Sequence, residues 1–99
     1  MAKLKITKFD AADYLNSPEA IAAYLSEAFE TNDKVFVSNA LSTVLRSKGM
    51  SKIAEKTNVS RESLYKSFDG KTEPQLSTVQ KVLDSLDLKL VVEPKDHAA

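Results

Sequence analysis

Two short runs of helix-forming sequence, separated by a gap too small for an ordinary loop, constrain this chain more than any other feature. They lie in Met50-Ser-Lys-Ile-Ala-Glu-Lys-Thr-Asn-Val-Ser-Arg-Glu-Ser-Leu-Tyr-Lys-Ser-Phe68. Two helices that close together need a small residue at their contact, and Ala54 supplies it. The chain must reverse direction within very few residues, which favours one that tolerates left-handed backbone; Asn58 stands there. Both helices must also be pinned to a core, and Ile53, Val59, Leu64 and Phe68 are the apolar anchors. Ser51 reads as the N-cap of the first helix and Ser60 as the N-cap of the second. The unit is expected to run from Ser51 to about Phe68.

The flanking sequence supplies further helices. Ser17-Pro18-Glu19 combines an N-cap, a proline at the first helical position and an acid in the first turn. Ile21, Leu25, Ala28 and Phe29 then fall at helical spacing as far as Thr31-Asn32. Asp33 caps a longer helix, expected over 34–48, whose buried stripe is Val37, Ala40, Leu41, Val44 and Leu45. Arg46 and Lys48 oppose the dipole of its last turn, and Gly49 suits its C-terminal cap. Asp69-Gly70 marks a turn. Leu76, Val79, Val82, Leu83 and Leu86 mark a last helix, with Gln75 or Ser77 as its N-cap. Leu4 to Phe9 and Leu88 to Val92 alternate as short strands do, Pro94 ends the second, and residues beyond it read as a tail. These strands pair within one chain or between two. Tyr14, Tyr24, Phe29 and Phe36 read as core aromatics.

With 99 residues the chain is one domain's worth. It divides into a helical extension at 10–32, a helical core at 33–86, a strand at 87–93 and a tail at 94–99. There is no cysteine, so thiolate metal sites and cysteine nucleophiles are excluded. No apolar run reaches membrane-spanning length and the charged N-terminus lacks a signal-peptide stretch, so a cytoplasmic, non-membrane protein is expected. The only histidine, His97, lies in the tail, and the two glycines, Gly49 and Gly70, cannot make a phosphate-binding loop. Glu55, Glu62 and Asp69 lack the spacing of paired acid–base carboxylates. No enzyme, metal or cofactor is expected.

Charge is segregated although the net charge is zero. Residues 1–45 and 72–99 each carry a balance of −2, and residues 46–71 carry +4. The basic segment coincides with the tight two-helix unit, whose form is that of a helix-turn-helix. In such a unit the start of the second helix enters the DNA major groove. The residues left facing outward are Arg61, Glu62, Tyr65 and Lys66, with Ser60 and Ser63 near the start of the helix. Arg61 suits guanine, Glu62 suits the cytosine amino group, and Tyr65 suits a thymine methyl or a phosphate. Lys52, Lys66 and Lys71 suit phosphates, as do the Ser51 hydroxyl and the amides around it. A dimer is expected, because two half-sites are read about one turn, ~34 Å, apart.

The small residue at Ala54, the turn at Asn58, Val59 after it and Leu64 in the second helix resemble λ-repressor-like, Cro-type regulators. Asn58 stands where glycine is usual, and Lys52 where glutamine is frequent. A longer pattern joins Phe9-Asp-Ala-Ala-Asp-Tyr-Leu15, Ser17-Pro-Glu-Ala-Ile-Ala-Ala-Tyr-Leu25, Gly49-Met-Ser-Lys-Ile-Ala-Glu-Lys-Thr57 and Ser60-Arg-Glu-Ser-Leu-Tyr-Lys66. It continues through Thr78-Val-Gln-Lys-Val-Leu83 and Leu88-Lys-Leu90. Together these resemble addiction-module antidote proteins, antitoxins loosely grouped with HigA, in which a glycine often stands at the position of Asp87. The resemblance implies an all-α fold: a λ-repressor-like helix-turn-helix bundle with extra N-terminal helices and short terminal β-strands. It implies an antitoxin that binds a RelE-like ribonuclease toxin and represses its own operon on double-stranded operator DNA. Asp10, Asp13, Glu19, Glu27, Glu30 and Asp33 form either a face for a basic toxin or a solvated surface. A stand-alone Cro-type repressor, or an interaction module without DNA binding, is the alternative.

Overall fold

The computed structural model describes residues 14–95. Within them the chain forms helices α1 (Pro18–Glu30), α2 (Lys34–Lys48), α3 (Met50–Thr57), α4 (Arg61–Ser67) and α5 (Leu76–Ser85), an all-α arrangement. The expected strand at Leu4 to Phe9, the acids Asp10 and Asp13, and His97 lie outside the described residues.

Local chemistry sets most of these boundaries. Ser17 Oγ accepts from the Ala20 N–H at 3.1 Å, and Pro18 occupies the first helical position. The link to α2 is closed by two side chains. Thr31 donates to the Ala28 carbonyl at 2.7 Å and accepts from the Asp33 N–H at 3.1 Å. Asp33 Oδ1 then accepts from the N–H groups of Val35 and Phe36. These bonds satisfy amides that a helix start otherwise leaves unpaired. The α2 helix spans the expected 34–48 and ends at Gly49, whose φ of 96° is open to glycine and costly elsewhere.

That glycine corrects one expectation. Ser51 does not cap α3: the cap lies two residues earlier, the helix starts at Met50, and Gly49 is both the C-cap of α2 and the N-cap of α3. A single glycine joint makes a separate capping loop unnecessary, and it lets Met50 turn inward, where it is buried. Likewise Gln75, not Ser77, precedes α5, and it makes no side-chain cap bond.

The core is the stripe of each helix. Ile21, Leu25 and Ala28 of α1 face Ala40, Leu41, Val44 and Leu45 of α2, with Ile53, Leu64, Phe68, Val79, Val82, Leu83 and Leu86 closing the interior. Helix α1 packs on α2, α3 packs on α2, α4 and α5, so α3 is the hub on which α4 is mounted. Leu41, Val44, Leu45 and Leu64 are fully buried; truncation of such a leucine to alanine costs about 2–5 kcal/mol. Val37 is only half-buried. Ser38 is buried among these apolar side chains with its hydroxyl unpartnered, a polar cost inside α2 for which the surroundings offer no return.

Two further expectations are corrected. Of the aromatics read as core, Tyr14, Phe29 and Phe36 are exposed, and only Tyr24 packs partly against the interior. Phe29 follows Ala28 around the helix and falls at the margin of its stripe, while Phe36 sits in the first turn of α2, off the stripe of Ala40, Leu41, Val44 and Leu45. The strand expected at 87–93 is also not formed among the described residues: 88–95 run without helix, turn or bend and without a ladder partner. Alternation describes a strand's faces but does not supply the neighbour that hydrogen-bonds its edge.

Candidate nucleic-acid interface

The α3–α4 joint is built from backbone geometry. Asn58 adopts φ 62°, ψ 29°, the left-handed region, and its N–H donates to the Ala54 carbonyl. The Val59 N–H reaches the same carbonyl at 3.3 Å, the bonding of a helix end reversed by a left-handed residue. Below it, the buried Thr57 hydroxyl donates to the Ile53 carbonyl at 2.7 Å, so this side chain costs no unpaired group. Ala54 and Val59 both pack against the core cluster, as the close approach of the two helices requires.

Ser60 starts α4 as expected: its Oγ accepts from the Ser63 N–H at 3.0 Å and its O–H donates to Ser63 Oγ at 3.0 Å. Leu64 and Phe68 point into the core, which turns Arg61, Glu62, Tyr65 and Lys66 to solvent. Arg61 extends one turn along the helix and its guanidinium lies 5.9 Å from the Tyr65 ring centroid. A cation over a ring face at an exposed site is worth about 0.5–1 kcal/mol, enough to bias the arginine toward the outward side of α4.

The other expected site residues are placed as follows. Ser51 and Ser60 share the rim of a shallow concavity with Ala54, Glu55, Asn58 and Val59, across the α3–α4 joint. Lys66 borders a second cleft with Val59, Ser63, Thr72, Gln75 and Thr78. Lys52 stands apart from both, in a cleft with Lys48 and Lys56 that faces Pro18 and Asp87, so these cations form a separate basic ridge. Lys71 is exposed on the loop after α4, where Asp69 Oδ1 accepts from the N–H groups of Lys71 (2.8 Å) and Thr72 (3.1 Å). Those amides, that of Lys71 foremost, hold the Asp69 carboxyl below its ordinary value.

Among the described residues the ion pair formed is Lys34–Glu73, at 3.5 Å on the surface. The charges of Lys52, Arg61, Lys66 and Lys71 are therefore not committed to carboxylates. Thr72 and Thr78 do not stand out in sequence as site residues, and Gln75 reads there only as a candidate helix cap. Their place beside Lys66 depends on how α5 returns past α4, which no local pattern encodes. Among the described residues, no group of three potential ligands is placed to hold a metal ion, and no helix is long and apolar enough to cross a membrane.

No solved structure matches the chain. A protein of Haemophilus influenzae (strain Rd), itself uncharacterized, is 36% identical over 94 residues, covering 95% of this chain and 97% of that protein. Residues 5–94 match the family described as "Probable addiction module antidote protein". With nearly its whole length inside that match, the chain belongs to the family of addiction-module antidote proteins.

Proposed function

We propose that the protein is the antitoxin of a type II toxin–antitoxin module, a non-enzymatic regulator working in the cytoplasm. In this reading it neutralises a RelE-like ribonuclease and, as a homodimer, represses its own operon on operator DNA. Helices α3 and α4 are its λ-repressor-like helix-turn-helix, set in a core spanning 33–86, and α1 belongs to the extension at 10–32. The observation that carries the DNA half is the outer face of α4: Arg61, Glu62, Tyr65 and Lys66 face solvent with no ion pair, on a helix anchored from behind by Leu64 and Phe68. The toxin half rests on family membership, with the exposed acids Glu19, Glu27, Glu30 and Asp33 as a face for a basic partner.

Base-reading and phosphate-holding residues fail differently. Arg61→Ala is expected to weaken operator binding by about 1–3 kcal/mol and to relax base preference, with toxin binding intact. Lys71→Ala is expected to weaken all duplexes about equally. Competition titrations of operator against random duplex measure both. Equal losses on the two duplexes for Arg61→Ala would remove it from base recognition. Co-expression with the neighbouring reading frame and pull-down tests the toxin half.

A further inference from the structure

The segment after α5 has two unlike sides. Asp87 takes φ 64°, and the Leu88 N–H returns to the Leu83 carbonyl at 2.9 Å, closing the helix while Leu88 packs against the core. From there the chain runs without helix or bend. In extended backbone successive N–H and C=O groups point to opposite edges. The Leu88 amide is held by its own body, and the amides of Lys89, Val91 and Glu93 have no hydrogen-bond partner among the described residues; in an extended run these three would share the edge opposite to that of Leu88. The side chains beyond Leu88 are largely uncovered too. Leu90 borders two clefts, one of about 420 Å³ with Phe29, Val37 and Leu76, the other along α1. Val91 is 63% exposed and Val92 97%.

We propose that this edge pairs with the same edge of a second copy, as an antiparallel two-stranded ribbon with Val91 on the two-fold axis. In that register Lys89 faces the partner's Glu93, Leu90 faces the partner's Val92, and each of these pairs occurs twice. A shift of the axis by half a residue in either direction sets each charge against an apolar residue or Pro94. The register also makes Lys89, Val91 and Glu93 the hydrogen-bonded positions, which are the residues whose amides point away from the body. Pro94, with no N–H, falls at a non-bonded position, where it costs nothing. Leu88, Leu90 and Val92 share one face, so the partner's Leu90 covers Val92. Charge complementarity and hydrogen-bond phase thus select the same occupant, a second copy of this chain. The proposal makes specific the homodimer of the proposed function and uses nothing of its DNA half.

The chain has no cysteine, so single substitutions report the register. In a hydrogen-bonded antiparallel pair the Cα atoms lie about 5.5 Å apart, within disulfide reach, whereas diagonal neighbours at about 7–8 Å are outside it. With oxidised glutathione as electron acceptor, Val91→Cys is expected to cross-link to a covalent dimer, while Leu90→Cys and Val92→Cys are not. In sedimentation equilibrium Lys89→Glu or Glu93→Lys, each creating two like-charge pairs, should raise the dimer dissociation constant about tenfold. The double variant should restore it. A monomeric wild-type chain, cross-linking at 90 or 92 instead of 91, or no rescue by the double variant overturns the ribbon. So does amide protection of 88–93 in a monomer, which assigns the edge to the chain's own residues, or protection only on adding the toxin. A Val91-linked dimer that binds no operator refutes the DNA reading alone. Operator binding by a dimer that does not link through Val91 refutes the ribbon alone.

Discussion

Asn58 is the residue on which the orientation of α4 turns. Its φ of 62° is unfavourable for most L-residues by about 1–2 kcal/mol, and asparagine is among the few that enter this region readily. Its side chain is exposed and makes no hydrogen bond among the described residues, so the backbone is what the position demands. Asn58→Gly should therefore leave the urea midpoint nearly unchanged, whereas Asn58→Ala should cost about 1 kcal/mol. Equal losses for both variants would move the cause from backbone to side chain. Residues of this kind were legible in sequence because their roles are local: Asn58 reverses the chain, Asp33 and Ser60 cap helices with their own oxygens. Asp87 likewise adopts φ 64° where α5 ends, a left-handed conformation that aspartate tolerates better than most residues. Ser51 has the side chain of a cap, but the start of α3 is set by the φ of Gly49, which the serine does not reveal.

Between elements, the loop from α4 to α5 depends on one carboxylate. Asp69 bonds the amides of Lys71 and Thr72 as an anion, and Gly70 takes φ 83° beside it. A group whose folded pKa is lowered stabilises the fold fully above its unfolded value and loses that contribution as pH falls through the folded one. The ordinary value is 3.8, so the loop should be intact above it and loosen only as pH falls further, toward the lowered folded-state value. Amide chemical shifts of Lys71 and Thr72 in an acid titration would report this. Asp69→Asn, which keeps a neutral acceptor, should remove that titration; an unchanged acid transition in the variant would place its origin elsewhere. Helix faces were legible at this scale because α2 and α5 repeat their apolar residues at helical spacing, except that Leu76 at the start of α5 is exposed. The exposed Phe29 and Phe36, and the unpaired 88–95, were not legible. Each depends on what another element or another copy covers.

At the scale of the molecule, the zero net charge hides a basic segment between acidic ones, and that segregation was readable by counting. What counting missed is that the cations divide into two groups, with Lys66 and Lys71 near α4 and α5, and Lys52 on the ridge with Lys48 and Lys56. If both groups reach phosphates in the proposed complex, Lys52, Lys66 and Lys71 of two protomers make about six contacts. Binding would then fall about a thousandfold between about 50 and 200 mM salt, since each contact releases close to one counterion. Lys71→Ala, removing two of those contacts per dimer, should flatten the slope of log affinity against log salt by about 2 units. The same substitution at Lys52 separates the groups: an equal flattening places the α3 ridge on the DNA backbone, and an unchanged slope leaves that ridge off the DNA. Arg61→Ala should shift the line down on operator while altering its slope little, because a base contact releases no phosphate counterion. A wild-type slope near zero would remove DNA from the function of this face.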